Sequence, residues 1–353
     1  NEIGVAAVTA GPGLANTITA IKNAQLAQVP LLIMGGATAT ILKGRGSLQD
    51  IDHLALVKSI TKLAVTIKRV RDIQTTLERA ILSATSGVPG PVYVELPVDL
   101  LYPESLVREW YGLKSASRTM SWWLTRYLVW NVNRIFKDKD RFYSQKAPVK
   151  KIKSFSIYLH RVTEFLSNAQ KPVLLIGSQA MMNSQQLSSL TEAIKTLNIP
   201  TYVSGMARSL LSRSELPIYK HSRKKALREA DRVILAGVPC DFRLDYGRHI
   251  NKQAKIVSIN LSWEDLHMNR KPTWGILADP GMFLINLSQT YKKKDWENWK
   301  KVLQDQDQNR NDEISHQAKE KIEYINPLKI CISINQHIQS EDIIVADGGD
   351  FVA

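Results

Sequence analysis

Residues 4–16 read Gly-Val-Ala-Ala-Val-Thr-Ala-Gly-Pro-Gly-Leu-Ala-Asn. A buried apolar strand, Val5 to Val8, leads into a Gly-Pro-Gly turn and then a helix. Gly11 and Gly13 let the backbone approach a flat ligand closely, and Pro12 stiffens the turn. Asn16 falls in the first helical turn, where its amide reaches such a ligand. By itself the stretch is an ordinary strand–turn–helix corner of an α/β fold. Three further segments along the chain give it weight.

Through residue 105, apolar strands alternate with helical stretches. Strands are predicted at 4–9, 30–34, 62–67 and 91–95, and helices at 14–27, 50–57 and 70–86. Val/Ile-rich strands separated by helices form parallel sheets covered on both faces. The pattern breaks at 106–155, where Trp110, Trp122, Trp123 and Trp130 precede a basic Lys137–Lys153 stretch. Ser121 to Phe136 reads as an amphipathic helix, either a packed linker or a helix lying in a membrane interface. A second α/β unit covers 156–290, with strands at 172–176, 200–203, 232–237, 255–259 and 274–279. Its strand ends at Gly177, Gly237 and Asn260 fall along one carboxyl edge, where open α/β sheets bind ligands. A charged helical connector spans 291–325, and 326–353 opens a third unit with a helix and a strand at 343–345.

A chain of 353 residues, 44% hydrophobic and 23% charged, suits two or three domains with large cores. Cys240 and Cys331 exclude a disulfide framework and fit a reducing environment. No CxxC, HExxH or Cys/His cluster points to zinc, and no metal ligand is assigned. Much of the net charge of +14 lies in Lys137–Lys153, His221–Arg228 and Lys292–Lys301, read as solvated surface. Without a nucleic-acid-binding module or basic-aromatic interleaving on one face, nucleic acid is not expected as a partner. The chain has no initiating Met, signal peptide or apolar run of about 18 residues. It starts and stops beside core strands, and reads as a fragment of a longer α/β protein.

Four segments carry a more specific reading: Gly11-Pro-Gly-Leu-Ala-Asn16, Gly46-Ser-Leu-Gln-Asp50, Gly90-Pro-Val-Tyr-Val-Glu-Leu-Pro-Val-Asp99 and Asp347-Gly-Gly-Asp350. In this order they resemble the thiamine-diphosphate enzymes of the acetolactate synthase and 2-hydroxyacyl-CoA lyase group, over essentially the whole chain. The resemblance implies α/β domains with parallel sheets. These are a truncated pyrimidine-binding domain (1–105), a Trp-rich and basic linker (106–155), a complete central domain (156–290), a connector (291–325) and the start of a diphosphate-binding domain (326–353).

The resemblance also implies site residues. Pro12, Gly13 and Asn16 would line the aminopyrimidine pocket, with Gly349 and Asp350 approaching the cofactor from the diphosphate-binding domain. Gln49 corresponds to the Gln of a Phe-Gln-Glu segment facing the reactive ring, here Leu48-Gln49-Asp50, and is the catalytic candidate. Gly177, Ser178, Gly205, Arg208, Asp241, Asn260 and Asp279 stand where ADP or FAD contacts would fall. Asn260 replaces an Asp frequent at that strand end. Glu95 and Asp99 read as the structural end of the last strand of the first domain, and none of His53, His249 and His267 is assigned a role.

The implied cofactors are thiamine diphosphate and Mg²⁺, with ADP, FAD or nothing in the central domain. The glutamate that protonates the aminopyrimidine and the Mg²⁺ ligands are expected outside this chain. The implied reaction is cleavage of a 2-hydroxyacyl-CoA to a one-carbon-shorter fatty aldehyde and formyl-CoA. Acetolactate synthesis from two pyruvates and a non-catalytic scaffold role are the alternatives. A homodimer or homotetramer, and association with the cytoplasmic side of the endoplasmic reticulum membrane, complete the expectation.

Overall fold

The structure, a computed structural model, describes residues 2–113, 121–141, 156–212, 216–217, 219–292 and 294–345. The chain folds as two compact units, 1–153 and 154–353.

The first unit runs β1 (Gly4–Val8), α1 (Pro12–Ala15), α2 (Ile18–Leu26), β2 (Leu31–Ala37), α3 (His53–Val57), β3 (Leu63–Thr66), α4 (Ile73–Thr85), β4 (Pro91–Pro97), α5 (Glu104–Trp110) and α6 (Trp122–Phe136). Its four strands are all parallel, in the order β1-β2-β4-β3. Central β4 is the most buried, as its continuous Pro91-Val-Tyr-Val run requires. One face packs Val92 and Val94 with Leu32, Ala80 and α6; the other packs Tyr93 and Ile33 against Leu14, Ile21 and Val57.

Three expectations change here. The helix expected at 14–27 is two helices, because Thr17 gives both its N–H and its hydroxyl to the Leu14 carbonyl (2.9 and 2.7 Å) and closes α1 after one turn. The helix expected at 50–57 starts only at His53, capped by Asp52, whose carboxylate accepts the Ala55 N–H. The strand at Val5 is not buried throughout: β1 is an edge strand and Val5 is 58% exposed.

The second unit runs α7 (Ser156–Ser167), β5 (Pro172–Ile176), α8 (Leu187–Leu197), β6 (Thr201–Val203), α9 (Arg223–Glu229), β7 (Arg232–Ala236), β8 (Lys255–Asn260), α10 (Trp263–His267), β9 (Trp274–Leu277), α11 (Pro280–Thr290), α12 (Glu297–Gln317) and α13 (Pro327–His337). Its five strands are again all parallel, ordered β6-β5-β7-β8-β9. Every residue of β5 is buried.

The charged segment 291–325 packs onto this unit by one apolar seam. Buried Trp296 and Trp299 donate their indole N–H groups to the carbonyls of Ala169 and Pro172 (3.2 and 3.0 Å), and Leu303 continues the contact. Buried Asp307 accepts the backbone N–H groups of Lys220 and His221 (3.0 and 2.6 Å). The strand expected at 343–345 is absent: Ile343, Ile344 and Val345 are exposed and have no neighbouring strand among the described residues, and a strand exists only as part of a ladder. Among the described residues no helix is long and apolar enough to cross a membrane.

Candidate active site

Because β1 to β4 are parallel, their carboxyl ends gather at one edge of the first sheet. Gly11, the loop 38–52, Glu95 and Asp99 meet there, tied by buried hydrogen bonds. Gly11 adopts φ +64°, a conformation open to glycine, and a Cβ at this position would lie 2.9 Å from Gln49 Cβ. The Gly11 N–H donates to His53 Nε2 (2.8 Å). That bond makes Nε2 the acceptor, so the ring proton sits on Nδ1 and donates to Glu95 Oε1 (2.9 Å). Glu95 Oε2 accepts from Lys43 Nζ (2.8 Å) and Thr66 Oγ1 (2.6 Å).

His53 and Glu95 are fully buried. Burial pushes the Glu95 carboxyl up, but hydrogen bonds from Lys43, Thr66 and His53 outweigh it and hold Glu95 below the ordinary carboxylate range. Asp99 works alongside. It accepts from the Thr40 N–H and hydroxyl (3.0 and 2.6 Å) and from the Tyr111 hydroxyl (2.7 Å), locking the start of the loop to the end of β4.

The sequence-predicted residues fall around this turn. Pro12 and Asn16 are exposed, and the Asn16 side chain makes no hydrogen bond among the described residues. Gly13 is needed where it stands, because a Cβ would overlap Thr9 Oγ1. Gln49 lies against Gly11 in a left-handed turn (φ +62°), with its side chain exposed. The turn offers a fixed backbone surface, a pyrrolidine ring and an uncommitted amide, a set that suits a flat aminopyrimidine. Gly349 and Asp350 lie outside the described residues. Sequence reasoning leaves His53 unassigned and reads Glu95 as merely the end of a strand. In the structure the two form the support of the turn. The available signal is a buried-type strand carrying an acid, which has to find a partner.

In the second unit the carboxyl ends of β5, β6 and β8 bring Gly177, Ser178, Gly205 and Asn260 to one edge. Side chains are excluded at two positions. A Cβ on Gly177 would strike the Gly237 carbonyl, and one on Gly205 (φ +58°) would strike Ser178 Oγ. Ser178 Oγ accepts the Met206 N–H (3.1 Å). Asn260 is buried; its Oδ1 accepts the Ser262 N–H (2.8 Å), while its Nδ2 has no partner among the described residues. Asp279 Oδ1 caps α11 through the Met282 N–H (2.9 Å). Asp241 grips Arg243 through both carboxylate oxygens (2.6 to 3.1 Å).

Arg208 is exposed and unpaired among the described residues. Arg223, which sequence reasoning places in solvated surface, donates to the Arg243 carbonyl (2.9 Å). Its ionisation is pulled down by burial and then by Arg208 and Arg243 nearby. Three guanidinium groups with Asp241 as a partner make an electropositive corner, the electrostatic setting a polyphosphate needs. Among the described residues no group of three or more His, Cys, Asp or Glu side chains could hold a metal ion.

Residues 1–56 match the family model of the thiamine pyrophosphate enzyme N-terminal TPP binding domain, and residues 159–287 that of the thiamine pyrophosphate enzyme central domain. Over 99% of its length the chain is 40% identical to 2-hydroxyacyl-CoA lyase 2 of Danio rerio and 38% identical to that of Homo sapiens. It spans 58% and 57% of those two proteins. A probable acetolactate synthase of Mycobacterium bovis is 25% identical over 99% of the chain and 58% of its own length. With the ordered motifs, two all-parallel sheets and matches in both units, the chain belongs to the thiamine pyrophosphate enzyme family.

Proposed function

We propose that the intact protein is a thiamine-diphosphate-dependent lyase that cleaves a 2-hydroxyacyl-CoA to a one-carbon-shorter aldehyde and formyl-CoA. The observation carrying this reading is the Gly11 turn, held from below by His53 and Glu95 and flanked by Gln49. The similarity to proteins named 2-hydroxyacyl-CoA lyase 2 supports the choice of substrate class. When bound, thiamine diphosphate supplies a nucleophilic carbon and an electron sink that permits scission of a bond beside a carbonyl. The chain's own residues bind and orient. The backbone at Gly11, the ring of Pro12 and the amide of Asn16 would hold the flat ring. The Gln49 amide orients the substrate or an ordered water. The His53–Glu95 pair keeps the turn from relaxing.

The reading includes Mg²⁺, with its ligands in the remainder of the protein, and at least a dimer. It also includes a nucleotide such as ADP at the Arg208–Arg223–Arg243 corner of the second unit. A location on the cytoplasmic side of the endoplasmic reticulum membrane is part of the same proposal and rests on likeness alone.

The test offers the full-length protein, thiamine diphosphate and Mg²⁺ either 2-hydroxyoctadecanoyl-CoA or pyruvate. Cofactor-dependent release of the shortened aldehyde with formyl-CoA is the expected result. Acetolactate from pyruvate, without aldehyde, would replace the lyase with a synthase. Neither product would leave a non-catalytic homologue.

A further inference from the structure

We propose that the exposed face of α6 docks the protein onto an anionic phospholipid surface. One side of this helix, Leu128, Asn131, Val132, Ile135 and Phe136, is buried in the core of the first unit. The other side is where a helix of a water-soluble domain carries polar residues. Here it carries Trp122, Trp123, Tyr127 and Trp130, exposed by 58, 73, 47 and 58%. At 100° per residue these four fall with Arg126 and Arg134 in a stripe about 140° wide.

The stripe is organised. Arg126 lies 5.3 Å from the ring centre of Trp122 and Arg134 lies 5.1 Å from that of Trp130. Trp122 and Trp123 meet edge to face at 4.4 Å. The helix contains two Arg and no Asp or Glu. Indole and phenol rings favour the headgroup layer, where an apolar body and a polar N–H or O–H are both satisfied. Guanidinium groups alongside them match lipid phosphates in charge and in fork geometry.

Charge selects the occupant. The face carries Arg126 and Arg134 and no acid, on a chain whose net charge is +14. A second copy of the same face would set arginine against arginine. An anionic bilayer complements both the aromatic rings and the cations. Because the buried side of α6 already fixes the helix, little ordering cost opposes docking.

The test is co-sedimentation of the 353-residue chain with vesicles of phosphatidylcholine alone or with about 30% phosphatidylserine. Binding to the anionic vesicles is expected to exceed binding to the neutral ones by roughly 10- to 30-fold, from two arginines at about 1 kcal/mol each. Trp123→Ser/Trp130→Ser is expected to lower binding to both vesicles by about 10-fold or more. Arg126→Gln/Arg134→Gln is expected to remove the preference for phosphatidylserine while leaving weak binding to both. Circular dichroism checks that each variant keeps the parent's fold, as substitution of exposed side chains should allow. No vesicle binding by the parent chain, or binding unchanged in folded variants, would overturn the proposal. So would a dimer in solution that the tryptophan substitutions dissociate in the absence of lipid affinity, which would assign the face to a second copy.

Discussion

Replacing His53 by alanine tests whether the Gly11 turn is held by the network beneath it. The imidazole is fully buried and makes two bonds, accepting the Gly11 N–H at 2.8 Å and donating to Glu95 at 2.9 Å. Removing it leaves a buried backbone donor without an acceptor, which costs about 1–3 kcal/mol. It also removes a hydrogen bond to an ionised carboxylate, worth about 1.5–3 kcal/mol. The two losses share one network and overlap, so roughly 3–5 kcal/mol is expected. For a unit of this size each kcal/mol moves the melting point by about 2–4 °C, giving a drop of about 6–20 °C.

Differential scanning calorimetry reads this directly, with unfolding of the second unit as an internal reference. His53→Gln separates chemistry from volume, because an amide also offers one acceptor and one donor. It should recover at least half of the lost stability. If His53→Ala moves the first unit's transition by less than about 2 °C, or if glutamine is as damaging as alanine, the network does not hold the turn.

The remaining contacts set further outcomes. Glu95 is held below the ordinary carboxylate range, so its ionised form contributes stability that is complete above the unfolded-state value and fades as pH falls through the lowered one. The melting-point gap between the parent chain and Glu95→Gln should therefore be widest near neutral pH and narrow on acidification below about pH 4; a gap independent of pH would contradict this. Gly205→Ala places a methyl group against Ser178 Oγ at φ +58°, and a loss of about 1–3 kcal/mol in the second unit is expected by urea unfolding. Asp279→Ala removes the cap of α11 and should cost about 1 kcal/mol in the same measurement. In the intact protein, Arg223→Gln should weaken ADP binding by about 10-fold in titration calorimetry if the guanidinium corner receives phosphate.

The strands are legible because fully buried parallel strands must be written as apolar runs. Pro91-Val-Tyr-Val and Pro172-Val-Leu-Leu-Ile are short runs of this kind, each opened by a proline. The turn after β1 is legible for a similar reason, since two glycines around a proline encode a backbone path rather than a packing surface. The support of that turn is not. His53 lies 42 residues from both Gly11 and Glu95, and nothing in its local sequence distinguishes it from a packed surface histidine. The extended Ile343–Val345 misleads because local pattern scores a strand without asking what lies beside it.

From residues alone came the α/β class, the strand–helix alternation, the Gly-Pro-Gly corner and the family. All of these are written as local periodicity or as motifs of contiguous residues, where covalent neighbours carry the information. Tertiary packing alone supplied the rest: which strand is an edge and leaves Val5 exposed, and which acid meets which histidine. It also brought Arg208, Arg223 and Arg243 to one corner and turned four aromatic rings of α6 away from the core. These are relations between residues far apart in the chain. They depend on strand order and helix rotation, and so on the free energy of the whole packed unit.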